Sequence, residues 1–458
     1  MTHQDNTKII DPFLLQILKQ RREDNKISDI LRSIQEEQNS IVDYDFEANM
    51  IVQGCAGSGK TMILFHRLAN ILYNIKSFSR PISPNRIAII IPNDSFNDYV
   101  NDLSQSLSIG YIKTLTLDDY ILSKVEDSIK KIFKSEEGDG FGGCSRKRKD
   151  DAIGIFLEEV RMCLIKRVKH STKKARFNVE DRKDLVNFIN TYQKKLRSMR
   201  IQRDREHEIR IRDVNINREE HNKWLKTSLT GIRSYRKKSM DEFRERFLLK
   251  DCDRGYLIGF LMTICSNSTL SDYRPYSEQI LLIDEGQDYG KEEYLMLKKA
   301  NPECIFNVYG DIEQKIFERG LTSWKRVVRI FDASFFELRQ NYRNSMQIVD
   351  YVNKSLNKKM ISIGFSAKDV ELVEKSKLYI YLEYEHELLK NNIAIVSEFP
   401  DNYAAYSNVA KILSVEQIKG LEFNTVFISP EILNMHKNFQ YVAMTRALSH
   451  LYILSLDR

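Results

Sequence analysis

Three carboxylates and an amide fall within five residues at the end of an apolar run. In "QILLIDEGQDYG" (279–290), Ile280 to Ile283 lead into Asp284, Glu285, Gln287 and Asp288. A solvated turn would account for a lone Asp-Glu pair. The pattern also suits a divalent-metal site facing a nucleotide: a buried strand holds the first carboxylate where it can bind Mg²⁺, and the second is aimed at a water. That chemistry requires a phosphate cradle elsewhere in the chain.

The cradle is upstream. "NMIVQGCAGSGKTMILFHRLANIL" reads as an apolar strand, a glycine-rich turn and an amphipathic helix, and its turn is G-x-x-x-x-G-K-T from Gly54 to Thr61. Gly54, Ala56, Gly57, Ser58 and Gly59 would let backbone N–H groups close on phosphates at the positive end of the following helix. Lys60 would reach the β- and γ-phosphates. Thr61 and Asp284 would share Mg²⁺, leaving Glu285 to polarise the attacking water as general base. ATP and Mg²⁺ are the expected cofactors of an NTPase built this way.

The elements that position these residues need a chain of more than one domain, and 458 residues with 42% hydrophobic content allow two or three. No signal-peptide pattern and no apolar run long enough to cross a bilayer is present, so a cytoplasmic location is expected. The six cysteines, at 55, 144, 163, 252, 265 and 304, form no CxxC pair, which argues against a zinc site and a disulfide framework. The net charge of +7 is uneven: residues 131–250 hold 33 Lys and Arg against 19 Asp and Glu, and the remainder is net acidic. A solvated helical surface could carry this surplus, but its single sign favours a polyanion partner.

A series of short motifs, in order, resembles superfamily 1 helicases of the UvrD/Rep type, with a flavour of the related HelD-like proteins. "SIQEEQNSIV" is similar to the Q motif and implies Gln38 on the adenine edge. "IAIIIPNDSF" sits where motif Ia sits and implies Phe96 near nucleic acid. "DEGQD" matches motif II. "VYGDIEQKIF" resembles motif III, implying that Gln314 senses the γ-phosphate and that Asp311 ties the nucleotide site to the nucleic-acid side. In "ELRQNYRNSMQIVDYV", similar to motif IV, Tyr342 would stack on adenine and Arg343 would reach the γ-phosphate. "SVEQIKGLEFNTVFIS" resembles motif V, with Glu422 on the ribose, and "YVAMTRALSHLYIL" motif VI, with Arg446 as arginine finger. Each motif alone is weak, but seven in order are specific. An Arg delivered from a second lobe stabilises the transferring phosphoryl group only when the lobes close, so hydrolysis would be coupled to movement.

The expected fold is α/β, with two tandem RecA-like parallel-sheet lobes and a mainly helical basic insertion in the first. The expected boundaries are an N-terminal helical segment (1–33), a first lobe (34–120 and 251–318), the insertion (121–250) and a second lobe (319–458). Only about 70 residues separate motifs IV and V, so the extra domain that large UvrD-like helicases insert there is absent or reduced. By the resemblance the insertion touches nucleic acid, which makes Lys194, Lys195, Arg197, Arg233, Arg236, Lys237 and Lys238 candidates for salt-sensitive phosphate contacts. The family commonly places an aromatic after motif III. Here Phe317 occupies one such position, Arg319 stands where Trp is common, and Trp324 follows; Phe317 or Trp324 could equally be core residues.

The leading expectation is an ATP-dependent single-stranded DNA translocase or helicase, 3′ to 5′ by resemblance, with RNA as a possible track. A HelD-like ATPase remodelling RNA polymerase is a second reading, weakened by the lack of a sustained heptad. A third is a motor subunit of an anti-phage defence or DNA-repair assembly, licensed by a nuclease or sensor partner.

Overall fold

A computed structural model describes residues 38–92, 112–133, 155–156, 158–159, 161–162, 177–213, 217–248, 253–388 and 392–455. The expected N-terminal segment 1–33, motif Ia residue Phe96, and Cys144, Cys163 and Cys252 lie outside these residues.

Two all-parallel sheets organise the chain, as the apolar runs require: strands buried on both faces read as unbroken Ile, Leu and Val rather than as alternation. The first sheet has the order β3-β2-β4-β5-β1-β6. Its strands are β1 (Met50–Gly54), β2 (Ile87–Ile91), β3 (Lys113–Thr116), β4 (Ile280–Ile283), β5 (Ile305–Gly310) and β6 (Ser334–Leu338). The whole of β4 is inaccessible to solvent. Around this sheet lie α1 (Lys60–Tyr73), α2 (Leu117–Phe133), α5 (Arg254–Ser266), α6 (Lys291–Ala300) and α7 (Lys325–Phe331).

The expected boundary at 318 falls before α7 and β6. Since β6 pairs with β1 along its whole length, from Met50 with Ser334 to Gly54 with Leu338, the first lobe continues to Leu338. The boundary at 120 likewise falls inside α2, a continuous helix whose apolar face, including Tyr120, Val125 and Ile129, enters the first-lobe core.

The second sheet has the order β11-β10-β12-β13-β9, from β9 (Glu371–Glu374), β10 (Ile393–Val396), β11 (Lys411–Leu413), β12 (Phe423–Ile428) and β13 (Ala447–Ser455). A small parallel pair, β7 (Gln340–Asn341) with β8 (Ile361–Ser362), joins the sheets. Helices α8 (Met346–Leu356), α10 (Val415–Ile418) and α11 (Lys437–Met444) cover the face toward the first lobe, and α9 (Leu378–Glu383) lies over the opposite face.

The insertion contains an α-helical hairpin. Helix α3 (Val179–Arg212) starts at an Asn178/Asp181 capping box and runs 34 residues, about 50 Å at 1.5 Å per residue. Its buried residues, Leu185 to Leu196, all lie before its last 16 residues, Arg197 to Arg212. Phe188 and Tyr192 pack with Phe133 of α2 and Phe243 of α4 (Arg218–Phe243), at ring separations of 5.1–5.6 Å. That last stretch, with α4 beside it, projects from this root as a basic arm. Among the described residues no helix is long and apolar enough to cross a membrane.

Candidate nucleotide site

The parallel sheet brings the two sequence signals together, because β1 and β4 flank β5 and all three point their C-terminal ends the same way. The Thr61 hydroxyl donates to Asp284 Oδ2 at 2.8 Å, and the Glu285 amide donates to Asp284 Oδ1 at 2.9 Å. The loop between β1 and α1 is tight. A Cβ on Gly54 would collide with the Ser58 hydroxyl and the Lys60 stem, while Gly57 and Gly59 adopt φ of +69° and +75°, which glycine reaches without strain. Lys60 Nζ lies inside the loop and donates to the Gly54 and Cys55 carbonyls, each at 3.0 Å; Ser58 donates to Cys55 O at 2.8 Å. A hydroxyl beside a carboxylate, a buried ammonium and a glycine-shaped cradle form the donor set that fits a Mg²⁺-nucleotide.

The electrostatics suit a cation. Burial and the neighbouring Glu285 push the Asp284 carboxyl up to about 6. Burial also works to raise Glu285, yet Lys419 and Lys60, with the Gln287 amide and Arg446, hold it below its ordinary value. Glu285 has φ 49° and ψ 38°, a left-handed backbone that a non-glycine residue keeps only where its surroundings impose it.

Four of the second-lobe residues singled out in the sequence reach this site. Arg446, buried on α11's C-terminal side, donates to Gln314 Oε1 at 2.7 Å and to Val442 O at 3.1 Å. Burial, and then Arg343 nearby, lower its pKa from the usual guanidinium value. Arg343 pairs with Glu422 at 2.9 Å. The Gln38 amide donates to the Tyr342 hydroxyl at 3.2 Å, so the residues read as the adenine edge and face are neighbours.

Several residues complete the site without having been singled out. Gln53, the outermost side chain of β1, donates to Asp311 Oδ1 at 2.7 Å and accepts from the Ile312 amide and the Trp324 indole. Gln314 donates to Asp311 Oδ2 at 2.9 Å, and Gln287 accepts from the Asp311 amide. Lys419 of the second lobe donates to both oxygens of Asp288 at 2.7 Å and to Gln314 O at 3.1 Å. Tyr441 of α11 accepts from the Ala56 amide at 2.8 Å. The lysine beside Gly420 and the tyrosine opening "YVAMTRA" were visible in the motifs, but their partners are more than a hundred residues away in sequence.

On the nucleic-acid side, Trp324 is a core residue: it is 5% exposed and its indole is held by Gln53. Phe317 is half-buried, with the Arg319 and Lys419 cations each 5.6 Å from its ring centre. Lys194, Lys195 and Arg197 are exposed on α3, as are Arg233, Lys237 and Lys238 on α4, with Arg236 half-buried. Lys194 and Arg197 also line a groove between α3 and the 269–273 turn.

Residues 263–455 match the family model described as the viral superfamily 1 RNA helicase core domain. The match supports a superfamily 1 helicase core over those residues. The crystal structure of arterivirus nonstructural protein 10, a helicase, is similar over 39% of each chain, with 21% identity and a TM-score of 0.28; the chain thus spans about two-fifths of that structure's length. No curated protein matches the chain.

Proposed function

We propose that the chain is an ATP-driven motor on single-stranded nucleic acid, of the UvrD/Rep type and moving 3′ to 5′ on DNA. The observation that carries the nucleotide half of this reading is the Thr61–Asp284 hydrogen bond beside a glycine-shaped loop, with Arg446 arriving from the other lobe onto Gln314. Bound Mg²⁺ would supply neutralisation of phosphate charge. Thr61 and Asp284 would hold it, Lys60 would bind phosphate oxygens, and Glu285 would orient and deprotonate water. Arg343 and Arg446 would meet the charge that builds on the transferred group.

The nucleic-acid half rests on the helicase-core match and on the exposed basic arm, which suits sequence-independent phosphate contacts. RNA is the second reading, because the matched family is described as an RNA helicase core. A motor subunit licensed by a nuclease or sensor partner in defence or repair is the alternative reading, in keeping with a compact motor. Steady-state ATPase with single-stranded DNA, single-stranded RNA or neither tests the proposal, with Glu285→Gln as the blank. Stimulation by DNA supports the first reading and by RNA the second. A rate above the blank that neither polymer raises would overturn the nucleic-acid half.

A further inference from the structure

The phosphate loop packs into the second lobe as well as into its own. Ala56 is 1% exposed and sits in the apolar cluster formed by Val352 and Leu356 of α8, Met360 and Tyr441, with Cys55 against its edge. Within the first sheet the Cys55 amide donates to Leu338 O of β6 at 3.0 Å, and from the segment that links the sheets the Tyr342 amide donates to Gly57 O at 3.3 Å. A buried amide left without an acceptor is costly, so each of these bonds constrains the loop.

The Ala56 amide has its acceptor in the other lobe. Its N–H donates to Tyr441 Oη at 2.8 Å, the two residues each being 1% exposed, and the hydroxyl then faces the Met360 sulfur at 3.5 Å. Tyr441 lies five residues before Arg446 in the same α11 region, and Asn438 of that helix donates to the Ile312 and Lys315 carbonyls of the motif III turn. One rigid element therefore carries the guanidinium, the grip on the motif III turn and the hydrogen bond to the phosphate loop.

We infer that Tyr441 is a positioning residue of the nucleotide site: its hydroxyl, delivered by the second lobe, holds the Ala56 amide and so sets the phosphate loop only while the lobes are together. This rests on the nucleotide-site reading above and deepens it. Lobe closure then does more than bring Arg446 to the transferring phosphoryl group, because it also shapes the loop that holds the phosphates. The loop has lower local stability when the lobes part, since its first residues lose a hydrogen bond and an apolar lining together.

Tyr441→Phe removes one oxygen and keeps the ring in its packing. Two readouts on the full chain test the inference. The first is the rate at which Cys55 is alkylated by a small thiol reagent, followed by peptide mass spectrometry, with the buried Cys265 and Cys304 as internal monitors of unfolding. The expected result is a rise of about tenfold at Cys55 alone, as a loop that has lost one of its buried bonds opens more often. The second is the split between kcat and KM for ATP: kcat should fall about tenfold while KM moves little, since the defect lies in the closed state. Unchanged Cys55 labelling overturns the inference whatever the turnover, and a rise shared by Cys265 and Cys304 overturns it in favour of a general packing role. If the wild-type chain hydrolyses no ATP, the nucleotide reading fails, while the Cys55 readout still decides whether Tyr441 holds the loop.

Discussion

Lys419 donates to both carboxylate oxygens of Asp288, each at 2.7 Å, and joins the loop before β12 in the second lobe to the end of the acidic motif in the first. Both side chains are about nine-tenths buried. Burial works to raise both carboxyls; the same ammonium is the largest influence holding Glu285 down, and it opposes the burial that pushes Asp288 up to about 6. A pair so removed from water is costly to break from one side, because the remaining charge is left uncompensated.

Lys419→Ala should therefore lower kcat, by about 10- to 100-fold on the scale of general-base effects. Losing a nearby cation raises a carboxyl pKa, so Glu285 would stay protonated to higher pH and the acid limb of the kcat profile should move upward. Lys419→Arg should keep the limb in place. A pH–rate series on the three proteins checks this, and coincident limbs would show that Lys419 does not set the charge of Glu285.

Glu285→Gln should abolish turnover while leaving ATP binding largely intact, because the amide keeps the shape and loses the base. Lys60→Ala should abolish hydrolysis. Titration with a fluorescent ATP analogue beside steady-state turnover separates the two effects. Normal turnover in either variant would sink the site assignment.

Asp284 supplies a stability test. Its carboxyl is pushed up to about 6 in the fold, above the ordinary unfolded value near 3.8, so the folded state binds this proton more tightly. The ionised group costs stability at neutral pH, and that cost fades as pH falls through about 6. Asp284→Asn should raise the melting temperature at pH 7.5 in metal-free buffer, with the gain falling to about half near pH 5 and vanishing only below the unfolded value of 3.8. An equal gain at both pH values would show that the carboxylate is not strained by burial.

Arg446→Ala should reduce hydrolysis by at least about 100-fold, within the range seen for arginine fingers. Arg446→Lys should recover little, since an ammonium cannot reproduce the bonds to both Gln314 and Val442. Single-turnover kinetics at saturating ATP would report the loss at the chemical step.

Where α4 runs beside the root of the hairpin, neutralising Arg233, Arg236, Lys237 and Lys238 together should flatten the dependence of nucleic-acid affinity on salt, since each phosphate contact removed lowers the slope by about one. Fluorescence anisotropy across a salt series measures it. An unaltered slope would clear α4 of that role.

Much of the nucleotide site is legible in order along the chain because its chemistry is local: a glycine loop, a lysine and a threonine at fixed spacing, and an apolar strand ending in Asp-Glu. The same locality makes the parallel sheets legible, since strands buried on both faces cannot hide their Ile and Leu runs. The lobe boundary at Leu338 was not legible. Strand β6, "SFFEL", reads like any half-exposed strand, and only its pairing with β1 assigns it to the first sheet.

The amino-acid sequence by itself determined which groups could bind and cleave a nucleotide, because spacing over a few residues dictates what a loop or strand end presents. Tertiary structure alone decided which groups from afar share their charge and shape. The ties between Lys419 and Asp288, Arg446 and Gln314, and Tyr441 and Ala56 span 131, 132 and 385 residues. Such pairs depend on how two sheets pack against each other, and no local pattern of residue types encodes that packing.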